Sequence, residues 1–418
     1  MSELSQDLSR PKLSDAISAL RIRDFRRFWF AGLASNSGGW LQGIASPFIM
    51  YEMTESGAWV GASVFALMIP MAIVGPFAGP MADRLSRRKI LLVCEVLLAT
   101  IAVSNAFLWW AGVREPLIYV AVNVIYGIGN GYALPAWQAY VADLVPREFL
   151  MNAITLNSTQ FNAARAIGPS IGGVVLAVLG PAWAFLGNGV SFLVVFCTLL
   201  TLPRTPPSPL ADRTDSQLSQ FAKGWAYAKT QPTIMTGYLA ATFVAVLGGP
   251  LVQVHLILFI ENVYEASEFR FGLLMSMYGI GAVVIAPWLA AFGSRIQRSH
   301  LLVGSLMGYG CGEILLSSTS FYWAGVSGIF IVGCAHLVMA TTTNTTLQLR
   351  VPEPVRGRVM AMYLMVFTIG APLGSIIQGP LADKFGPQAV VLVMGFCFLV
   401  AALILRISGK SETYNFED

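Results

Sequence analysis

The strongest constraint in this sequence is a run of about 20 apolar residues that keeps recurring, each copy long enough to cross about 30 Å of hydrocarbon as a helix. These runs lie near residues 28–51, 58–82, 89–111, 117–140, 155–179, 182–202, 233–260, 270–292, 300–318, 322–346, 359–382 and 387–407. Lipid is therefore the solvent for most of the chain. Inside lipid each backbone polar group must be satisfied by the protein, which leaves helices or a closed barrel. Barrel strands alternate apolar and polar residues over segments of about ten, and stretches such as 118–133 show no such alternation. With 56% apolar and 11% charged residues, an all-α membrane protein is expected. The first run follows a charged segment without a small-residue cleavage site, so it reads as a retained span.

Positive charge orients the spans, because cytoplasmic loops collect Lys and Arg. One side holds Arg21, Arg23, Arg26 and Arg27 before the first span, Arg84, Arg87, Arg88 and Lys89 after the second, and Arg350, Arg356 and Arg358 after the tenth. The other side holds only Arg114, Arg270 and Lys384 beside several glutamates. Both termini are thus expected in the cytoplasm. The net charge of +4 belongs against anionic headgroups, and a nucleic-acid partner is not expected. The basic stretch 13–28, with Leu13, Ile17, Leu20 and Phe25 interspersed, suits a helix lying on the inner membrane surface.

The widest polar interval, 203–232, opens with Pro203, Pro206, Pro207 and Pro209 and reads as a linker, with a short surface helix near 218–229. Weak internal similarity straddles it. At a shift of 206 residues Gly127 meets Gly333, Gly168 meets Gly374, Gly173 meets Gly379 and Gly180-Pro181 meets Gly386-Pro387. At a shift of 211, Gly61 meets Gly272, Arg84 meets Arg295 and Arg87 meets Arg298. Their order predicts two parallel six-helix repeats. The expected units are a cytoplasmic amphipathic segment 1–27, a bundle 28–202, the cytoplasmic linker 203–232, a second bundle 233–407 and a cytoplasmic tail 408–418.

The loop after the second span reads Gly79-Pro80-Met81-Ala82-Asp83-Arg84-Leu85-Ser86-Arg87-Arg88-Lys89. It resembles the G-x-x-x-D-R-x-G-R-R signature of the major facilitator superfamily, with Ser86 in place of the usual Gly. An acid beside a basic cluster makes a conformational latch of Gly79, Asp83, Arg84, Arg87 and Arg88, with Glu95 as a further partner for the cluster. In the second half Ser294 replaces the acid. Gly168-Pro169-Ser170-Ile171-Gly172-Gly173 resembles the G-P-x-x-G-G motif of exporters in that superfamily, where a missing backbone donor and small residues permit bending and close packing. The opening block 20–29, together with Leu144-Val145-Pro146-Arg147-Glu148, Asn152-Ala153 and Asn157-Ser158, is similar to the enterobactin-exporter and macrolide-efflux branch. The resemblance implies twelve spans in two pseudo-symmetric six-helix bundles, a small-molecule substrate moved by alternating access, and a central cavity lined by the first, fourth, seventh and tenth helices. One departure stands out. Exporters carry R-x-x-x-G-x-G in the fourth span, and Asn123 occupies the position of the Arg.

Charge inside hydrocarbon costs at least about 2.5–3.5 kcal/mol, so each instance needs a partner or a function. Arg165 shares one stripe of the fifth span with Asn157, Phe161, Gly168 and Gly172, and its counterpart in the other half is Ala371. Glu313 lies deep in the ninth span, and His255 and His336 are membrane-embedded imidazoles. Arg165, Glu313 and His255 are the proton-coupling candidates. Substrate contacts are expected from Asn36, Gln42, Asn130, Gln138, Arg165, Gln253, His336 and Asn344, with Trp40, Tyr126, Tyr132 and Trp137 suited to a bulky, partly apolar compound.

No phosphate-binding G-x-x-x-x-G-K-[ST] loop, nucleophile elbow or metal-ligand cluster occurs, and Cys94, Cys197, Cys311, Cys334 and Cys397 fall inside apolar runs without a paired framework. No cofactor or metal and no enzymatic activity are expected. The expected function is proton-coupled export of small bulky amphiphiles, such as drugs or siderophores, by a monomer in a bacterial cytoplasmic membrane, with protons and lipids as its other partners. Uptake or uniport on the same fold is the alternative, and a non-transporting sensor a weaker one.

Overall fold

The computed structural model describes residues 17–204 and 225–407. Twelve long helices and no strand occur among them. The first half comprises α1 (Arg23–Thr54), α2 (Gly57–Arg84), α3 (Arg87–Trp110), α4 (Pro116–Asp143), α5 (Leu150–Leu179) and α6 (Pro181–Thr201). The second comprises α7 (Pro232–Asn262), α8 (Glu268–Phe292), α9 (Arg298–Ser317), α10 (Tyr322–Arg350), α11 (Glu353–Phe385) and α12 (Pro387–Ile407). Ten of these are long and apolar enough to cross a membrane on length and composition alone. The other two, α1 and α9, are diluted by Asn36, Ser37 and Gln42 and by Arg298, His300 and Glu313, and each packs along neighbours that do qualify: α1 on α5 and α6, α9 on α10 and α12. The chain is a multi-pass integral membrane protein.

Glycine explains how the helices approach. Lipid tails are as apolar as leucine, so helices associate in lipid by backbone proximity and van der Waals fit rather than by hydrophobic exclusion. A Cβ at Gly127 would strike the carbonyl of Leu67, closing α4 onto α2, and a Cβ at Gly333 would strike that of Tyr278, closing α10 onto α8. Gly168 gives α5 room against Trp40 of α1, and Gly374 gives α11 room against the Val246 carbonyl of α7. The glycines that match in sequence therefore do the same work in each half. Two more pairs join the halves: Gly173 meets Gly272 across α5 and α8, and Gly379 meets Gly57 across α11 and α2. The matched turns share a mechanism as well. Gly180 (φ +87°) and Gly386 (φ +83°) end α5 and α11 in a conformation that disfavours a side chain, and the following proline starts the next helix, where its missing N–H costs nothing.

The N-terminal segment differs from its expected form. Residues 13–16 lie outside the described residues, Ser18–Arg21 forms a single tight turn, and α1 begins at Arg23. Phe25 and Phe28 are each 1% exposed, and Phe28 stacks on Trp137 with ring centroids 4.0 Å apart. Ala19 donates its backbone N–H to Asn152 Oδ1 (2.9 Å). The aromatic stripe of α1 extends past the apolar run, so Phe25 and Phe28 pack into the base of the first half, while Ile17 stays exposed. Within the linker, residues 225–229 are helical, whereas 205–224 lie outside the described residues, as does the tail 408–418.

One substitution tests the packing rule. A Cβ at Gly312 would stand 2.6 Å from the Gly328 carbonyl and 2.7 Å from Val332 Cγ2, whereas Gly39 has nothing within 4 Å. Gly312→Leu should destabilise the second half by about 1–3 kcal/mol, the usual cost of overpacking, while Gly39→Ala leaves stability unchanged. Thermal unfolding of the detergent-solubilised variants measures both, and equal midpoints would contradict the rule.

Candidate functional site

A cavity of about 820 Å³ lies between the halves, walled by α1, α2, α4 and α5 on one side and α7, α8, α9, α10 and α11 on the other. Its aromatic walls are Trp40, Tyr126, Phe161, Tyr278, Tyr309 and Phe367. Polar groups are few, and several are already engaged. Gln42 Oε1 accepts from Asn188 Nδ2 (2.7 Å), Asn123 Nδ2 donates to Ser63 Oγ (2.7 Å), and Gln253 Nε2 faces Met68 Sδ at 3.3 Å.

Arg165 is the charged residue of this lining, which contains no Lys, Asp or Glu among the described residues. Its guanidinium carbon stands 4.7 Å from the centroid of the Tyr278 ring, a cation–π contact, and no carboxylate among the described residues pairs with it. Next to Tyr278, the Tyr309 hydroxyl and His336 Nδ1 are 2.6 Å apart. Local backbone chemistry places the arginine. Pro169 has no N–H to give the carbonyl four residues earlier, which is that of Arg165. Gly279 of α8 lies against this carbonyl, where a Cβ would come within 2.7 Å. One turn further on, Ser170 Oγ donates to Ser276 Oγ (2.7 Å). The Gly168–Gly173 stretch thus turns Gly168 and Gly172 to α1 and Gly173 to α8, with Arg165 at the cavity end of the seam.

A second break lies opposite. α7 widens into π-helical turns at Val244–Gly248 and Leu251–His255. Pro250 cannot donate to the carbonyl of Val246, and Gln378 Nε2 of α11 does so instead at 2.8 Å. His255 Nε2 and Gln378 Oε1 are 2.9 Å apart.

Of the expected substrate residues, Gln42, Arg165, Gln253 and His336 come together in the cavity wall, as do Trp40 and Tyr126. Asn36, Asn130, Gln138 and Asn344 do not. Asn130 bonds the Tyr126 carbonyl of its own helix, and Asn344 accepts from Gln348. All four are displaced along their helices toward the end that carries the α2–α3 turn, because a polar stripe marks the face of a helix and not its level. Tyr132 and Trp137 pack into the first half's core, with Trp137 Nε1 donating to Asn157 Oδ1 (3.2 Å). Glu313 and His255 are buried outside the cavity lining, and both carboxyl oxygens of Glu313 lack a hydrogen-bond partner among the described residues. Phe161 lies on the Arg165 stripe as expected, whereas Tyr278, Tyr309 and Phe367 were not expected, since an aromatic in a span reads equally as core.

At the α2–α3 turn, Arg87 Nη1 lies 2.5 Å from Asp143 Oδ1, and Arg88 donates to the carbonyls of Leu199 (2.6 Å) and Leu200 (2.8 Å) at the end of α6. These contacts tie the turn to its own half. Arg84 is exposed, Gly79 has open space, and the Asp83 side chain lies outside the described residues. Glu95 does not join this cluster: it is 3% exposed inside the first half, and its Oε2 has no partner among the described residues. Arg87 and Arg88 reach Asp143 and the α6 carbonyls instead.

The opposite end is closed across the halves. Ser56 does not cap α2. Asp383 of α11 caps it in trans, accepting from the Gly57 N–H (2.5 Å), the Ala58 N–H (3.0 Å) and Ser56 Oγ (2.6 Å). A carboxylate at the positive end of a helix satisfies N–H groups that would otherwise be orphaned. Nearby, the Tyr51 hydroxyl donates to Asn262 Oδ1 (2.8 Å), joining α1 to α7. A sequence signal for Asp383 exists: Gly379-Pro380-Leu381-Ala382-Asp383-Lys384 repeats Gly79-Pro80-Met81-Ala82-Asp83-Arg84 at a shift of 300 residues.

Residues 14–415 match the model of the family described as transmembrane secretion effector. An uncharacterized MFS-type transporter of Bacillus subtilis (strain 168), YfiS, is 25% identical over 398 residues, covering 90% of each chain. The enterobactin exporter EntS of Citrobacter koseri is 25% identical over 391 residues, covering 92% of this chain and 91% of its own. Among solved structures, the nucleoside transporter NupG superposes with a TM-score of 0.73 at 16% identity, covering 94% of this chain and all of that one (100%). A bacterial homolog of the human lysosomal transporter Spinster, inward-facing and unoccupied, gives 0.72 at 17% identity over 97% and 98%. With the two six-helix halves and the cavity between them, these matches place the chain in the transmembrane secretion effector family of major facilitator superfamily transporters, where it resembles the enterobactin-exporter branch.

Proposed function

We propose that this chain is a proton-driven exporter, an antiporter of small bulky amphiphiles such as drugs or siderophores, working by alternating access in a bacterial cytoplasmic membrane. The observation that carries the reading is a central aromatic cavity whose closing contacts between the halves run from its own level to the α1–α2 end, with Asp383 capping α2. The distribution of Lys and Arg supports reading that end as the outer one. A compound then enters from the cytoplasm, past Asn36, Asn130, Gln138 and Asn344, and leaves when the seams of α2 with α11 and α5 with α8 open. Relatives that carry the name enterobactin exporter support the outward direction.

Among the coupling candidates, Glu313 fits best. Arg165 faces the cavity as its charged residue and is assigned to the substrate, and His255 is held by Gln378 away from the cavity. Glu313 has two carboxyl oxygens without a hydrogen-bond partner among the described residues, one helical turn from Tyr309, whose hydroxyl joins His336 in the cavity wall. A protonophore should abolish uptake of the exported compound into energised everted vesicles. Glu313→Gln should keep counterflow exchange while losing accumulation driven by the pH gradient, and undiminished accumulation by that variant would remove its role.

A second reading, uncoupled facilitation, is favoured by Asn123, which bonds Ser63 where exporters of this superfamily carry an arginine. It predicts vesicle transport that the protonophore leaves unchanged.

The outer closure has its own test. Loss of an N-cap costs about 1 kcal/mol, roughly a fivefold change in population. Asp383→Ala should therefore populate longer separations between spin labels placed at positions 55 and 384. An unchanged distance distribution would show that the cap does not hold this end shut.

A further inference from the structure

We infer that the compound carried in the cavity is an aromatic anion, bound through its carboxylate, sulfonate or phosphate group to Arg165. The inference rests on the export reading for the use of the site, and it names the charge class that reading leaves open. Three observations carry it together. Arg165 lines the cavity, and no carboxylate among the described residues faces it; the two acids within the nearby spans, Glu95 and Glu313, are buried outside the lining. The tyrosine beneath the guanidinium meets it by its ring face, a contact that neutralises none of its charge. The groups around it are hydroxyls and an imidazole: Tyr278, Tyr309 and His336, with His336 Nδ1 joined to the Tyr309 hydroxyl.

An unpaired cation between low-dielectric walls attracts anions and repels cations far more strongly than it would in water. A guanidinium fork matches the geometry of planar or tetrahedral oxyanions in two hydrogen bonds. The remaining walls, Trp40, Tyr126, Phe161 and Phe367, offer aromatic faces and no second charge. No carboxylate among the described residues of the lining is there to pair with a cationic group, whereas an anion on an aromatic body meets both Arg165 and these ring faces.

The source of such an anion is either a soluble compound or a lipid headgroup, and one experiment separates the two. Full-length protein is placed in phosphatidylcholine nanodiscs, and tryptophan quenching is titrated with 1-pyrenebutyrate and with its amide, 1-pyrenebutanamide, which keeps the ring and loses the charge. Wild-type protein should prefer the acid by about 10- to 100-fold, the range for a hydrogen-bonded charged group. Arg165→Ala should abolish the preference while binding the amide as wild type does, and Arg165→Lys should retain part of it. Subtracting the Arg165→Ala signal cancels partition of the probe into lipid. Equal wild-type binding of acid and amide overturns the proposal, as does a preference that survives in Arg165→Ala. If Arg165→Ala does not fold, the acid-to-amide ratio of wild type against Arg165→Lys decides. Repeating the titration in phosphatidylglycerol nanodiscs assigns the source: loss of pyrenebutyrate binding there makes the anion a headgroup, and unchanged binding makes it a soluble compound. Acid that binds with the predicted preference yet is never moved into everted vesicles leaves the anion site standing and removes the export reading. Vesicles that pump the amide as well as the acid do the reverse.

Discussion

Everything in this molecule depends on backbones touching backbones where no water drives helices together. Gly173 against Gly272 and Gly379 against Gly57 bring the halves into contact at two seams, and Gly127 and Gly333 do the same inside each half. A seam of this kind is tight but holds few hydrogen bonds. Between α5 and α8 the described bond is Ser170 to Ser276, and between α2 and α11 the described bonds are those of the Asp383 cap on α2. Close packing without much polar lock is what two bodies need if they are to separate on one side and meet on the other.

The same economy governs the cavity. A helix in lipid must satisfy its own carbonyls, and a proline breaks that rule four residues before itself. Pro47, Pro169, Pro250 and Pro372 stand in α1, α5, α7 and α11, helices that correspond between the halves, and the carbonyls they deprive belong to Gly43, Arg165, Val246 and Thr368. Gly43, Arg165 and Thr368 line the cavity, and Gln378 takes over at Val246. Helical regularity is thus interrupted at the level of the cavity, and two of the freed carbonyls are taken up by neighbouring helices, Arg165's against Gly279 and Val246's by Gln378.

Much of this was legible in the sequence, for reasons of period and charge. Apolar run length set the number of spans, and the glycine pairs at shifts of 206 and 211 marked positions whose small size serves the same contact in both halves. Depth was not legible. Asn130 and Asn123 lie two turns apart on α4, yet only Asn123 reaches the cavity, because nothing in a polar stripe records its level against the neighbouring helices. Partners across helices were equally hidden. Glu95 reads as a neighbour of Arg87 along the chain, but α4 and α6, distant in sequence, supply the acceptors that Arg87 and Arg88 use. The Phe25 and Phe28 stripe was visible but open to two meanings, since an apolar face beside basic residues suits lipid and protein equally well.

The asymmetry between the halves follows from this packing. Arg165 and Ala371 are equivalent by sequence shift, and both line the cavity. On the second half, Ala371 presses α11 against Gly249 of α7, where a Cβ at Gly249 would come within 2.7 Å, so no long side chain fits between them. On the first half, Gly168 yields its space to the Trp40 indole one turn away, and α5 can carry a long cationic side chain at the cavity's edge. A fold built from two copies of one plan thereby presents a charged wall and a neutral one. In the proposed transport cycle a ligand held by Arg165 would stay with the first half, and the described residues of the second half's cavity wall offer no carboxylate whose ion pair would have to break.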